Sequence, residues 1–304
     1  MNAIDNLDAV NAVQRVQDYI ESHLGEPITL YMLSRAAGYS PWHTSRLFKE
    51  LTGKTLPEYI RILRLSRAAL TLRDGDSKII DVALDFAFDS HEGFTRAFTK
   101  NFGIAPQTYR KKAPPISLFL PSPIRSYYIL LQKGASAMPK NSFAKTVFVQ
   151  VIERPARKLI LKRGHLADNY FDYCKEVSCE VWGLLCSIKE ALYEPIGVWL
   201  PSRFRKENTS FYAQGVEVPV DYSGEIPAGF DVIDLPACKM MVFQGQPFAA
   251  DDFMEAIEEV WQGIKTYTPE LYGFQWADEE SPRFQLEPVC ERGYIEARPV
   301  RSLS

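Results

Sequence analysis

The 304-residue sequence predicts an all-α N-terminal domain with two tandem helix-turn-helix units. An α+β C-terminal domain follows, made of a duplicated strand-helix-strand-strand unit. Three observations carry this reading. Arg46-Leu47-Phe48-Lys49-Glu50-Leu51-Thr52-Gly53 returns fifty residues later as Arg96-Ala97-Phe98-Thr99-Lys100-Asn101-Phe102-Gly103, and Tyr59 recurs as Tyr109. A second repeat at offset 81 pairs Val151–Gly164 with Val232–Gly245, with six of fourteen positions identical. Between the repeats lies a stretch rich in Pro, Ser and apolar groups. Internal repetition fixes architecture before any local reading does, and it places the boundaries at 8–112, 113–145 and 146–302.

In the first domain, Val10, Val13, Val16, Ile20 and Leu24 recur at three- and four-residue steps and form one face of a first helix; Gly25-Glu26-Pro27 ends it. Thr29 caps a short second helix, and Gly38 supplies a positive-φ turn. Ser40 caps the next helix, with Pro41 at its first position, where the missing N–H costs nothing. That helix, Pro41–Leu51, buries Leu47, Phe48 and Leu51 and shows Trp42, Ser45, Arg46 and Lys49. A linking helix spans 56–72, and Arg73-Asp74-Gly75-Asp76-Ser77 is a turn. Ile79, Ile80, Val82, Ala83 and Phe86 form the first helix of the second unit. Ser90 caps its second helix, which buries Phe94, Phe98 and Phe102 and exposes His91, Glu92, Gly93, Thr95, Arg96 and Lys100.

A helix fits the major groove of DNA, and side chains near its N-terminus reach base edges. Arg46 and Arg96 lie one to two turns in from their caps, and arginine grips guanine O6 and N7 together. A surface salt bridge is the plainer reading of either arginine alone; their equivalent places in two copies of one motif favour double-stranded DNA as a partner. The linking helix can hold the two reading helices about one DNA turn apart, roughly 34 Å. Residues 1–112 carry 15 Lys+Arg against 13 Asp+Glu, whereas the remainder carries 20 against 25. The basic surplus is small, and DNA binding requires only a local basic face; Arg61, Arg64, Arg67 and Arg110-Lys111-Lys112 are candidates for it.

Gly38-Tyr39-Ser40-Pro41-Trp42-His43 through Arg46-Leu47-Phe48-Lys49 resembles the first unit of the AraC/XylS family of bacterial transcription regulators. Phe98 through Phe102-Gly103-Ile104-Ala105-Pro106 with Tyr109-Arg110 resembles that family's C-terminal signature. The resemblance covers residues ~8–112 and implies a promoter-binding regulator, an activator that contacts RNA polymerase. In the multidrug-response members, DNA contacts fall on positions matching Trp42, Ser45, Arg46, Glu92, Gly93 and Arg96. Ser45 and Glu92 replace longer amides found there, and Gly93 replaces a hydroxyl residue, which implies a different operator.

The connecting segment holds Pro114-Pro115, Pro121-Ser122-Pro123 and Tyr127-Tyr128-Ile129-Leu130-Leu131. It is too apolar for a free tether and is expected to dock on a domain, with a strand near Tyr127–Leu131.

In the second domain each repeat reads as two short strands around a Pro-Ala corner, then a helix (~167–191 and ~249–265), then two strands. Those strands are Ile196–Leu200 and Phe211–Val218 in the first copy, Arg283–Val289 and Gly293–Val300 in the second. The result is a mixed α+β domain with a pseudo-twofold cleft. The pattern, with Tyr294-Ile295-Glu296-Ala297-Arg298-Pro299-Val300, is similar to the GyrI-like effector-binding domain. That resemblance implies a small-molecule effector, often a lipophilic cation, held by aromatic groups and a carboxylate in the last strand. Aromatic faces attract cations, and a buried carboxylate is costly until it is paired. Tyr170, Trp182, Trp199, Trp276 and Glu296 are the ligand candidates. Trp182 and Trp261 occupy matching places in the two helices and fit a core role as well. Family members commonly place the Glu four residues before the Pro, whereas Glu296 is three before Pro299. A one-residue slip turns a strand side chain to the opposite face, and Ile295 would then line the cleft.

Composition is that of a soluble globular protein, with 46% hydrophobic and 24% charged residues. The sequence shows no N-terminal signal and no eighteen-residue apolar run, so a cytoplasmic location is the default expectation. Five cysteines without a C-x-x-C pair argue against a disulfide scaffold or zinc ribbon. No metal, cofactor or catalytic set is expected. The C-terminal half has one histidine, His165, no G-x-S-x-G elbow and no metal-ligand spacing. A weak hydrolase or a protein-interaction module remain the alternatives for this half.

Overall fold

The computed structural model describes residues 7–121, 123–125, 147–178 and 180–303. The chain divides into two compact units, Met1–Ala137 and Met138–Ser304. The strand expected near Tyr127–Leu131 lies outside the described residues.

The first unit is helical: α1 (Leu7–Ser22), α2 (Leu30–Ala37), α3 (Pro41–Thr52), α4 (Leu56–Asp74), α5 (Ile79–Asp85), α6 (His91–Phe102) and α7 (Pro106–Lys112). Its starts follow the expected capping chemistry. The Thr29 hydroxyl accepts from the Met32 amide, Ser40 from His43 and Ser90 from Gly93, satisfying amides that a helix start leaves open. The repeated glycines now have a cause. Gly53 and Gly103 end α3 and α6 at φ 72° and 71°, the left-handed conformation that glycine enters without steric cost. The turns between the paired helices differ. Gly38 takes the left-handed position in the first, at φ 76°; in the second it falls on Ala87, at φ 55°. The linking helix also runs through Arg73 and Asp74, which the sequence assigned to the following turn.

Two cores result. One gathers Val10, Val13, Val16, Ile20, Leu47, Phe48, Tyr59 and Leu63; the other gathers Leu65, Ala68, Ala69, Leu72, Val82, Phe94, Phe98 and Tyr109. Helix α4 supplies both. Residues 113–121 and 123–125 dock on this unit as well. Ile116 and Leu118 enter the second core, while Ile124 joins the first with Phe119 packed against it. Their amides find buried acceptors: Phe119 donates to Ser66 Oγ at 2.8 Å and Ile124 to Gln17 Oε1 at 2.9 Å.

Among the described residues, the second unit is a nine-stranded antiparallel sheet with helices. Its strands are β1 (Phe148–Arg154), β2 (Arg157–Arg163), β3 (Ile196–Trp199), β4 (Tyr212–Val218), β5 (Asp231–Leu235), β6 (Cys238–Gln244), β7 (Phe274–Trp276), β8 (Arg283–Gln285) and β9 (Ile295–Ser302). The order is β1-β6-β9-β8-β3-β4-β2-β5, with β7 paired to β9. Its longer helices are α8 (Tyr170–Glu176), α9 (Glu180–Cys186) and α10 (Phe253–Thr266). Three elements depart from the sequence expectation. The helix expected over ~167–191 is broken into α8 and α9, with Ser178 at φ 139° between them. The strand expected over Arg283–Val289 ends at Gln285, and β7 is an addition.

The Pro155-Ala156 corner joins β1 to β2, and Pro236-Ala237 joins β5 to β6. Strand β1 pairs with β6 and β2 with β5. Arg157 bridges the corners, donating to Pro155 O at 3.1 Å and Pro236 O at 3.0 Å. Its Nε lies 2.6 Å from Glu217, whose other oxygen lies 2.6 Å from Arg154. All three are buried. One sheet face carries Leu159, Leu161, Val198, Ala213, Met240, Ile295 and Ala297 in a single apolar core. The opposite face receives α10 on Met241, Phe243, Tyr294 and Val300, and α9 on Ile160, Val216 and Val218.

The turn at Ala87 yields a direct expectation. A left-handed alanine costs roughly 1–2 kcal/mol, offset in part by the chain entropy of glycine. Ala87→Gly should therefore stabilise the first unit by about 1 kcal/mol, read by urea denaturation followed through helical circular dichroism. Destabilisation would contradict the assigned turn.

Candidate nucleic-acid interface and a buried carboxylate site

The outer faces of α3 and α6 form the first candidate site. In α3, Trp42, Arg46 and Lys49 are exposed and Ser45 is half-buried; Trp42 is 70% exposed, and the Arg46 guanidinium stands 5.3 Å from its ring centroid. In α6, His91, Glu92 and Arg96 are exposed, while Gly93 and Thr95 are half-buried. A cleft of about 930 Å³ between the two helix-turn-helix units is lined by Trp42, Ser45, Arg46 and Lys49 of α3 and by Gly93 and Arg96 of α6. The two arginines that the repeat equates thus border one concavity. His91 lies instead in a smaller hollow with Lys78, Gln107 and Arg110. The Thr95 hydroxyl is buried and makes no hydrogen bond.

Several arginines of the expected basic face have structural work. Arg64 donates to Leu24 O at 2.9 Å and also to Glu26 O, closing carbonyls after α1, while also lining the cleft. Arg67 pairs with Glu21 at 3.2 Å, and Arg110 donates to Ser77 O at 2.9 Å. Arg61 lines the cleft. The sequence offered all of these for a basic face, but capping carbonyls come from distant segments and leave no local signal.

The second candidate site lies on the helix-bearing face of the sheet in the second unit. The register settles which way Glu296 points. It pairs with Phe243 of β6 and Gln285 of β8, on the same face as Tyr294 and α10. Ile295 faces the apolar core on the other side. Glu296 is 1% exposed. Its Oε2 accepts from Trp261 Nε1 at 2.9 Å and from Tyr294 Oη at 3.0 Å. Its Oε1 lies 2.9 Å from Arg283 Nε. Burial pushes this carboxyl above the usual carboxylate range, and Arg283, Tyr294 and Trp261 pull it part of the way back.

Around Glu296 the register builds a polar row. Gln214, Gly197, Gln285 and Glu296 stand opposite one another across β4, β3, β8 and β9. The neighbouring row is Tyr212, Trp199 and Arg283. The Arg283 guanidinium sits 4.2 Å from the Trp199 ring centroid, and Trp199 meets Tyr212 edge-on at 5.4 Å. Gly197 is required here, because a Cβ would collide with the Tyr212 hydroxyl and come within 3.0 Å of Gln285 Cγ. Tyr170 packs against the cluster of Tyr173, Tyr212 and Trp199. Trp182 is half-buried in α9 and hydrogen-bonds Glu287, whose carboxyl burial raises.

Trp276 stands apart from this group: it packs on Phe243 with Arg298 4.1 Å over its ring. Trp261, which the sequence placed more readily in the core, reaches the carboxylate. Arg283, Tyr294 and Gln214 were missed. Their only sequence signal is the alternation that puts Tyr294 and Glu296 on one strand face.

Comparison with known proteins follows the division of the chain. The helix-turn-helix domain family matches residues 33–112. Over 137 residues the chain is 36% identical to the right origin-binding protein of Escherichia coli K12 and 38% identical to the transcriptional regulator Rob of Salmonella typhimurium. In both, the match covers 45% of this chain and 45% of the relative, so it spans about half their length. It is 35% identical over 100 residues to the regulatory protein SoxS of Salmonella typhimurium, covering 33% of this chain and 94% of that one. Among solved structures, the DNA-binding domain of AdpA in complex with a target DNA is 25% identical over 33% of this chain and 91% of that one, with a TM-score of 0.32.

Gly197 offers a check on the carboxylate site. Gly197→Ala should cost the second unit about 1–3 kcal/mol through overpacking. Adding Tyr212→Phe should recover part of the loss, because the hydroxyl is the first atom met. Thermal unfolding of the single and double variants reads this, and no recovery would contradict the described packing.

Proposed function

The chain belongs to the AraC/XylS family of helix-turn-helix transcription regulators, and from that premise we propose that it binds promoter DNA through α3 and α6 and senses a small molecule with its second unit. The single observation that carries the DNA reading is the cleft between the two helix-turn-helix motifs of the first unit, bordered by Arg46 and Arg96 at equivalent positions of two capped helices. Trp42, Ser45, Lys49, Glu92 and Gly93 complete the reading surface, with His91 and Thr95 at its margin. Base edges are read by α3 and α6 in successive major grooves, and the intervening backbone lies along the cleft. Glu92 is suited to accept from cytosine N4. RNA polymerase is the further partner this reading entails, and activation the sign of the response.

The second unit is read as a duplicated strand-helix-strand-strand, GyrI-like sensor. Its support is the pair of Pro-Ala corners, the aromatic residues on the helix-bearing face and the buried Glu296 within them. Tyr170, Trp182 and Trp199 remain ligand candidates beside it, with Trp276 outside the cluster. A ligand alters transcription only if it binds one state of the whole protein better than another.

Selection of binding duplexes from a random pool supplies the DNA for the test. Arg46→Ala and Arg96→Ala should each cost about 1–3 kcal/mol in affinity, or roughly 5- to 150-fold, and each should relax base preference at a different part of the site. Lys49→Ala should weaken binding uniformly and lower the slope of log affinity against log salt by about 1. Absence of any selected sequence from the wild-type chain would overturn the DNA reading.

A further inference from the structure

Buried groups without hydrogen-bond partners mark where a fold reserves capacity for something else. Among the described residues, three buried side-chain atoms without a hydrogen bond lie together in the second unit, Tyr212 Oη and Gln214 Nε2 and Oε1, beside the Arg283–Glu296 ion pair. The sheet register puts Tyr212 and Gln214 of β4 on one face with Arg283 of β8 and Glu296 of β9, about Gly197. Gln214 and Tyr212 are completely buried and Glu296 nearly so. The Gln214 amide and the Tyr212 hydroxyl together offer both donors and acceptors.

The charge at this place is already balanced. Glu296 Oε1 and Arg283 Nε lie 2.9 Å apart, and the guanidinium rests on Trp199 at 4.2 Å. A planar cation stacked on an indole and paired with a carboxylate is the arrangement a bound amidinium would adopt. Here the chain supplies that cation itself. The Arg283 side chain is 35% exposed against 1% for Glu296, so solvent reaches the guanidinium and not the carboxylate.

We propose that Arg283 is a tethered counter-cation occupying the carboxylate subsite, so that the site takes an uncharged ligand with hydrogen-bond donors and acceptors, such as a carboxamide, and rejects free cations. This rests on the reading of the second unit as a small-molecule sensor and names its ligand class. An amide meets the open hydrogen-bonding atoms of Gln214 and Tyr212 without disturbing the ion pair. A cation must first displace Arg283 from both Glu296 and Trp199. Arg283 is therefore a specificity-determining residue acting by exclusion.

Benzamide and benzamidinium are near-isosteric probes that differ in charge. Their affinities for the full chain are measured by tryptophan fluorescence, with Trp199 and Trp261 beside the site, and checked by calorimetry. Wild type should bind benzamide more tightly than benzamidinium. Arg283→Ala should reverse the order, raising benzamidinium affinity at least tenfold. Arg283→Ala with Glu296→Gln should lose that gain, and Arg283→Lys, which keeps the charge, should retain the wild-type order. Retained binding of the selected DNA and unchanged circular dichroism establish that each variant folds. Benzamidinium binding wild type as well as it binds Arg283→Ala would overturn the role of Arg283 alone. Binding of neither probe by any variant would overturn the inference together with the small-molecule reading of the site.

Discussion

One continuous helix governs the geometry of the first unit. Helix α4 runs nineteen residues, Leu56–Asp74, a length of about 28 Å at 1.5 Å per residue. Its first half, with Leu56, Tyr59 and Leu63, belongs to one core; its second half, with Leu65, Ala68, Ala69 and Leu72, belongs to the other. Its only proline, Pro57, stands in the first turn, where it costs nothing. The helix interior has no glycine, so nothing along it invites a kink. Each reading helix packs on its own half, through Phe48 on one side and Phe94 and Phe98 on the other. Their separation is consequently set by a rod and not by a loop.

The segment after α7 reinforces that rod. Phe119 meets Tyr59 edge-on at 5.1 Å, and Tyr59 meets Phe48 of α3 at 5.0 Å. Gln17 donates to Tyr59 Oη at 3.0 Å and accepts from Ile124. Phe119 and Ile124 therefore touch the first core and Ile116 and Leu118 the second. Polar groups buried this way are costly unless every bond is made, and here the segment's amides complete the side chains of α1 and α4. The second unit uses a different economy. The Arg154–Glu217–Arg157 triad is paired on both carboxylate oxygens and fastens the Pro-Ala corners, whereas the Glu296 neighbourhood leaves hydrogen-bonding capacity open.

Legibility in the sequence tracked the range of the interaction. The Arg-x-Phe spacing and terminal glycine of each repeat are local consequences of a capped helix with one buried face, and they are visible in eight residues. Caps at Thr29, Ser40 and Ser90 are likewise local. The left-handed turn at Ala87 was hidden because alanine carries no such signal. The break at Ser178 was hidden because apolar spacing persists through it. Arg283 of β8, Trp261 of α10 and Tyr294 just before β9 converge on Glu296, and strand register decides much of that meeting. A three-residue strand such as β7 has too few alternations to be seen. The structural duties of Arg64 and Arg110 rest on backbone carbonyls far along the chain.

The central claim is that one chain presents two reading helices at a fixed spacing to a single duplex. Hydroxyl-radical footprinting of the full chain on a selected duplex tests it most directly. Two protected clusters about one helical turn apart on one face of the DNA, the first erased selectively by Arg46→Ala and the second by Arg96→Ala, are the predicted result. A single protected cluster, or two that vanish together with either substitution, would contradict it.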